Sequence, residues 1–310
     1  MVRLEMVMAM REESTAIQVI AETVCQPEPG TAGVWAVGGA NSMGSPYTSA
    51  DGDVCHRALA CTCMEISPFA KLSVFFPMWN EQDYIERAID AAREECEDLK
   101  SQGDIADYEI IIVDDASTDN TPVIAQRLAA QDSHIKVVRH PENRKLGGSM
   151  KSGFEAATGD LVLYTDADLP FDMHDVHKAM RLLRYYDADV VSAYRFDRTG
   201  EGYVRTVYSF FYNLMVRVLF GVRMRDVNFA FKLCRTRIFD HVDLKSEGSF
   251  IDAELVVKAQ KYGYTVIQFG VDYFPRTRGV STLSSPAVIK KILKEARQLR
   301  REIRDISPVV

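Results

Sequence analysis

The sequence predicts an α/β fold with a largely parallel sheet. Short apolar runs alternate with segments of helical period from residue 71 onward. Several of those runs end abruptly in acids or proline, as strands do where they leave a sheet. The 310 residues are 47% hydrophobic and 26% charged, an ordinary globular balance that supplies a sizeable core.

"KLSVFFP" is the first strand, stopped by Pro77. "NEQDYIERAIDAAREECEDLK" follows with Tyr84, Ile85, Ala88, Ile89 and Ala92 at helical spacing, and Asn80 is its expected N-cap. "YEIIIVDDASTDNT" is a buried strand ending in Asp114 and Asp115. "TPVIAQRLAAQ" is a helix with Pro122 in its first turn. "IKVVRH" is a strand, "GGSMKSGFEAAT" a helix and "DLVLYTDAD" a fourth strand. A helix carrying His174 and His177 at i, i+3 follows; the pair reads either as ligands or as exposed helix residues, the second being the expectation. Residues 203–222 are apolar nearly all round, which fits either a core helix or one lying in a membrane interface. "SFIDAELVVKA" is a further helix, with Leu255, Val256 and Ala259 as its apolar side.

Composition excludes several classes. A net charge of −7 disfavours a nucleic-acid partner. No stretch reaches about 18 uncharged apolar residues, so no spanning helix is expected. The first fifteen residues do not read as a secretory signal. Six cysteines in this length make no disulfide scaffold, and the expected location is cytoplasmic. Residues 1–67 lack periodicity and read as a poorly ordered or accessory extension that contributes little to the domain beyond. "GVWAVGGANSMG" lacks the helix that a phosphate loop needs, and "CHRALACTC" fits no zinc spacing.

In a parallel sheet, ligands sit at the carboxyl ends of the strands. Pro77, Asp114, Asp115, Asp166 and Asp168 all fall there. Asp166 and Asp168 are two apart and project to similar sides. Two such hard oxygen donors beside open space suit Mg²⁺ or Mn²⁺, with substrate phosphates filling the remaining positions. A solvated acidic loop is the bland alternative.

These ordered motifs resemble family 2 glycosyltransferases of the GT-A fold, and among them the dolichol-phosphate mannose synthases. The resemblance runs from residue 71 to about 285 and is carried by "FFPMWNE", "EIIIVDDASTDNT", "RKLGGSMKSGFEAATGD", "TDADLP", "FGVRMRDVNFAFKL" and "YFPRTRGVS". It implies one catalytic domain over 68–285, a nucleotide-sugar donor and a divalent metal. It also implies roles. Pro77, Glu81 and Asp115 would hold the base and ribose, with Asp114 assisting. Asp166 would lie near ribose and metal, and Asp168 would be the main metal ligand. Arg276 would reach the diphosphate. Arg195, Arg205 and Ser209 match positions that hold the phosphate of a lipid acceptor. Thr282 and Pro170 depart from the family pattern and put the particular sugar in doubt.

The implied reaction inverts the sugar and transfers mannose from GDP-mannose to a polyprenyl or dolichol phosphate at the cytoplasmic membrane face. A UDP-glucose donor is the main competitor. A phosphate acceptor needs no general base, whereas a hydroxyl acceptor would need one. Asp252 is the candidate, set evenly against a role as helix cap, and Glu254 does not share its face. A dehalogenase-type phosphatase, a nucleotidyltransferase and a non-catalytic partner subunit are the readings from other classes. Arg223 and Arg225 read as loop charges rather than an anion site. The last segment, 286–310, is a basic amphipathic helix with Ile289, Ile292, Leu293, Ala296, Leu299 and Ile303 in one stripe. It is expected either on anionic lipid, as a peripheral membrane contact, or packed on the domain or in an oligomer.

Overall fold

The computed structural model describes residues 67–197, 203–274, 286–303 and 306–309. The readings of 1–66, and of the "RTRGVS" segment with Arg276, lie outside them.

Seven strands form one sheet in the order β3-β2-β1-β4-β6-β5-β7. They are β1 (Phe69–Met78), β2 (Ile105–Asp114), β3 (Ile135–Arg139), β4 (Leu161–Thr165), β5 (Val190–Arg195), β6 (Phe231–Arg235) and β7 (Val266–Val271). All neighbours pair in parallel except β6, which runs antiparallel to β4 and β5. The helices are α1 (Ile85–Ser101), α2 (Thr121–Gln131), α3 (Lys145–Ala156), α4 (Asp175–Tyr185), α5 (Tyr203–Phe220), α6 (Ile251–Lys261) and α7 (Pro286–Glu302). The expected α/β plan with a mostly parallel sheet is what the chain adopts.

Both sheet faces are covered. Strand β1 alternates its apolar side chains between two cores: Leu72, Val74 and Phe76 face one, and Phe75 the other. The inner stripe of α1, Ile85, Ala88, Ile89, Ala92, Cys96 and Leu99, is fully buried on the first face. Each large aliphatic residue among these contributes about 1.5–3 kcal/mol by leaving water. Helix α3 covers the second face at close range. A Cβ on Gly147 would lie 2.6 Å from the backbone carbon of Glu247, so only glycine lets α3 meet the loop before α6.

Two expectations about helices are corrected. Asn80 is not the cap of α1. It sits at φ 56°, outside the helix, which begins at Ile85 behind Tyr84. His177 is not exposed: it is 7% accessible and wedged between α4 and α1, while His174 stays open to solvent.

A third core joins α5, α6 and α7. Val216 and Phe220 pack with Phe250, Ala253, Val256 and Val257, and Ala296, Leu299 and Ile303 of α7 close over them. The C-terminal part of the α7 stripe is thus buried against the domain, while Leu293 is exposed and the side chain of Ile289 lies outside the described residues. Glu302 adds ion pairs to Lys258 at 3.3 Å and Lys245 at 3.4 Å. Helix α5 does two things at once. One face joins this core, and the other exposes Val207, Phe210, Phe211, Leu214 and Val218 at helical spacing. No helix among the described residues is long and apolar enough to cross a membrane.

Candidate active site

Because β1, β2 and β4 are adjacent and parallel, their carboxyl ends lie side by side. Pro77 pairs with Val113 and Met78 with Asp114. The loops that leave these ends are laced together. Asn80 accepts the Thr118 N–H on its side-chain oxygen at 2.8 Å and gives its own N–H to the Ser117 hydroxyl at 3.0 Å. The Glu81 N–H donates to Thr121 Oγ1 at 2.9 Å. Glu81 and Pro77 are half-buried on this rim. Asn80 therefore braces two loops instead of starting one helix.

The acids of β2 are buried. Asp114 pairs with Arg139 at 3.2 Å and accepts the Ser117 N–H at 3.0 Å. Asp115 accepts the Arg144 N–H at 2.7 Å and lies 2.7 Å from His140 Nδ1. The other nitrogen of His140 meets Ser152 of α3 at 2.9 Å. His140 and Arg144 were not legible as site residues. Neither stands in an acid motif, and only pairing of β3 with β2 brings them to Asp115.

Asp166 and Asp168 leave β4 on one tight turn, closed by the Leu169 N–H to the Asp166 carbonyl at 3.3 Å. Both are half-buried and neither is sealed in the core. Two half-buried carboxylates on one turn are a hard oxygen donor set, and they fit a Mg²⁺ or Mn²⁺ ion that keeps positions for phosphate. The Tyr164 hydroxyl donates to Asp166 Oδ1 at 3.2 Å. Burial, then the Asp166 and Asp252 carboxylates, push this phenol well above its usual range, so it stays protonated as a donor. Asn80, Ala116 and Leu169 all adopt left-handed backbone, and each follows a different one of these three strands. Non-glycine residues in that region cost free energy and gather at functional sites.

Asp252 sits in the first turn of α6 and is not its cap, since the N-cap position is Phe250. It is 2% accessible and 3.3 Å from Lys232, which is itself wholly buried on β6. Burial pushes the Asp252 carboxyl up, and Lys232 opposes that shift. Glu254 faces elsewhere, accepting the N–H groups of Lys245 and Ser246 and the Lys258 ammonium.

Of the three positions matched to an acceptor phosphate, Arg195 ends β5 with its guanidinium forked onto Asp226 at 2.5 and 2.7 Å. Its charge is answered within the fold. Ser209 is half-buried on α5, and the side chain of Arg205 lies outside the described residues. Arg225 lies over the Tyr194 ring at 5.4 Å and Arg223 is exposed.

The chain matches the family model described as glycosyl transferase family 2 over residues 73–245. It is 34% identical over 211 residues to the glycosyltransferase AglD of Haloferax volcanii, a match covering 66% of this chain and 33% of that protein. The chain therefore spans about a third of the length of that curated relative. Among solved structures it resembles the mannosyltransferase PcManGT from Pyrobaculum calidifontis in complex with GDP-Man and Mn²⁺. That match has 21% identity and a TM-score of 0.53 over 76% of this chain and 64% of the other. It also resembles glucosyl-3-phosphoglycerate synthase from Mycobacterium tuberculosis in complex with phosphoglyceric acid. Here the identity is 19% and the TM-score 0.56, over 74% of this chain and 80% of the other. At these identities the structural likeness is one of fold, the GT-A fold.

Proposed function

The chain belongs to glycosyl transferase family 2, and from that premise we propose that it transfers a sugar from a nucleotide donor to a lipid phosphate at a membrane surface. The donor we favour is GDP-mannose and the acceptor is a polyprenyl phosphate, met from the cytoplasmic face. The observation that carries the reading is the D-A-D turn at the end of β4, set beside the acid-bearing end of β2 with the β1 rim between them.

Asp166 and Asp168 would hold the divalent ion, which supplies positive charge against the diphosphate as the sugar leaves. Tyr164 keeps Asp166 oriented through its hydroxyl. The braced loops carrying Pro77, Glu81 and Asp115 form the floor for base and ribose. Arg276 would meet the diphosphate. A phosphate acceptor attacks as an anion, so Asp252 need not move a proton, and its pairing with Lys232 is compatible with that. The acceptor approaches from the face opposite the leaving group, inverting the anomeric carbon.

The membrane part rests on α5. Its outward Phe210 and Phe211 are each about 60% accessible, at 62% and 60%, with Leu214 and Val218 beside them. Aromatic and aliphatic side chains in one exposed stripe suit a lipid interface. Transfer to a hydroxyl from a UDP-sugar is the second reading. It is favoured by Asp252 standing close enough to perturb Tyr164, the partner of Asp166.

A panel of GDP- and UDP-sugars with polyprenyl phosphate, with and without Mn²⁺, tests the proposal. Metal-dependent mannosyl transfer to the lipid phosphate is expected. Transfer only to hydroxyl acceptors, or only from UDP-sugars, overturns it.

A further inference from the structure

We propose that Glu95, His174 and His177 form a second metal site, for Zn²⁺ or a similar borderline divalent ion, that clamps α4 to α1. It goes beyond the transferase reading and does not depend on it.

The three side chains come from two helices. Glu95 lies on the inner side of α1, His174 immediately precedes α4 and His177 lies in its first turn. One donor atom from each lies within 4.8 Å of the others. His177 Nε2 is 3.1 Å from Glu95 Oε1 and 3.1 Å from Asp98 Oδ2, and His174 Nδ1 is 3.7 Å from Glu95 Oε2. Four donors placed tetrahedrally at zinc bond lengths are separated by about 3.3 Å; the contacts of the two imidazoles with Glu95, at 3.1 Å to Oε1 and 3.7 Å to Oε2, lie near that value. Asp98 stands beside His177 but outside this set of three, so water from the open His174 side would complete the coordination.

Burial is the independent sign that a ligand is wanted. Glu95 and His177 are each 7% accessible, yet Glu95 Oε1 and His177 Nε2 make no hydrogen bond. The two face each other at 3.1 Å without an aligned hydrogen bond, and a buried polar group left so is costly. It persists where something outside the protein answers it. The surroundings are acidic as well. Asp98, Asp172, Glu94 and Asp175 all act on the Glu95 carboxyl, which a cation would relieve. His174 is 71% accessible at its side chain, so an ion can enter from solvent. Two imidazoles with a carboxylate select zinc-like ions over Mg²⁺, in contrast to the all-oxygen D-A-D turn. The clamp would hold the start of α4, the helix reached directly from the Asp168 loop, against α1.

The test separates the two sites by residue. Full-length protein carrying Asp166→Asn and Asp168→Asn is stripped with chelator. It is then dialysed against Zn²⁺ or Mg²⁺, and bound metal is measured. A single zinc ion per chain should remain bound, Mg²⁺ should not replace it, and adding His174→Gln should remove it. His174 is exposed, so this substitution leaves the core intact. Zinc should also raise the melting temperature of the wild-type chain but not of His174→Gln. Absence of bound zinc in the D-A-D variant, or zinc binding and melting unchanged by His174→Gln, overturns the proposal. Neither readout involves sugar transfer, so the fate of the transferase reading does not decide it.

Discussion

Lys232 and Asp252 form an ion pair at 3.3 Å in which both side chains are shut off from water. Lys232 comes from β6, the one antiparallel strand, and Asp252 from the first turn of α6. A charge removed from such a pair leaves the other uncompensated, while replacing both by apolar groups is often nearly neutral. Lys232→Met should therefore destabilise the domain by about 3–5 kcal/mol. Lys232→Met with Asp252→Leu should recover most of that loss. Urea denaturation of both variants checks this, and equal loss in the single and double variants would contradict the pair's account.

Asp168→Asn should keep the fold, because the side chain is half-buried on the turn beyond β4 and lies outside the apolar cores, and asparagine is nearly its isostere. Turnover should fall on the order of a hundredfold or more through weaker support of the leaving diphosphate. Added EDTA should abolish wild-type activity. Undiminished rates in either case would remove the D-A-D turn from catalysis.

The acceptor class is read from an order of severity. With a lipid phosphate, Asp252→Asn should be mild and Arg205→Ala severe, since an anionic nucleophile needs cations more than a base. The comparison uses kcat/KM at a temperature well below the melting point of both variants, because Asp252→Asn also leaves Lys232 uncompensated and lowers stability. The opposite order would move the acceptor to a hydroxyl.

Sedimentation with anionic vesicles distinguishes the two membrane candidates. Phe210→Ser with Phe211→Ser should lower binding several-fold and leave melting unchanged, because both rings face outward from α5. Deleting 286–310 should instead lower the melting temperature, because Ala296, Leu299 and Ile303 would leave the third core. Vesicle binding unaffected by the α5 pair would dismiss that face as the contact.

Glu109 gives the pH dependence. Burial alone would raise its carboxyl, but Lys136, the Ser73 hydroxyl and the N–H and hydroxyl of Thr158 outweigh it and hold it at about 2, against an ordinary 4.5. A lowered carboxyl stabilises the fold fully above the unfolded value and loses that contribution as pH falls from about 4.5 toward 2. Glu109→Gln should destabilise by about 1–3 kcal/mol at pH 7. The gap should close as the medium is acidified. Urea midpoints at several pH values measure it, and a gap constant down to pH 2.5 would exclude Glu109 as its source.

Periodicity and end chemistry were enough to read the first half of the sheet. Four apolar runs became β1 to β4 in chain order, although β1 is not stopped by Pro77 and runs through it to Met78. The acids fell at strand ends because a parallel crossover leaves the sheet always at the same edge. The later strands were not legible. β6 reads "FKLCR", and a lysine at its second position looks like surface until Asp252, distant in sequence, arrives to answer it. The same reason covers the rest of what only the tertiary structure decided. Asn80 looked like a cap because its own helix was the only partner visible along the chain, and its real partners are 37 and 38 residues away. His177 looked exposed until Glu95 of α1 was placed against it. The α7 stripe suited either lipid or protein, and only the fold shows that Ala296, Leu299 and Ile303 of it pack on α5 and α6. Local pattern fixes where the backbone turns and which side chains share a face. The partner of a buried charge or stripe depends on contacts between distant segments, and those exist only once the chain has folded.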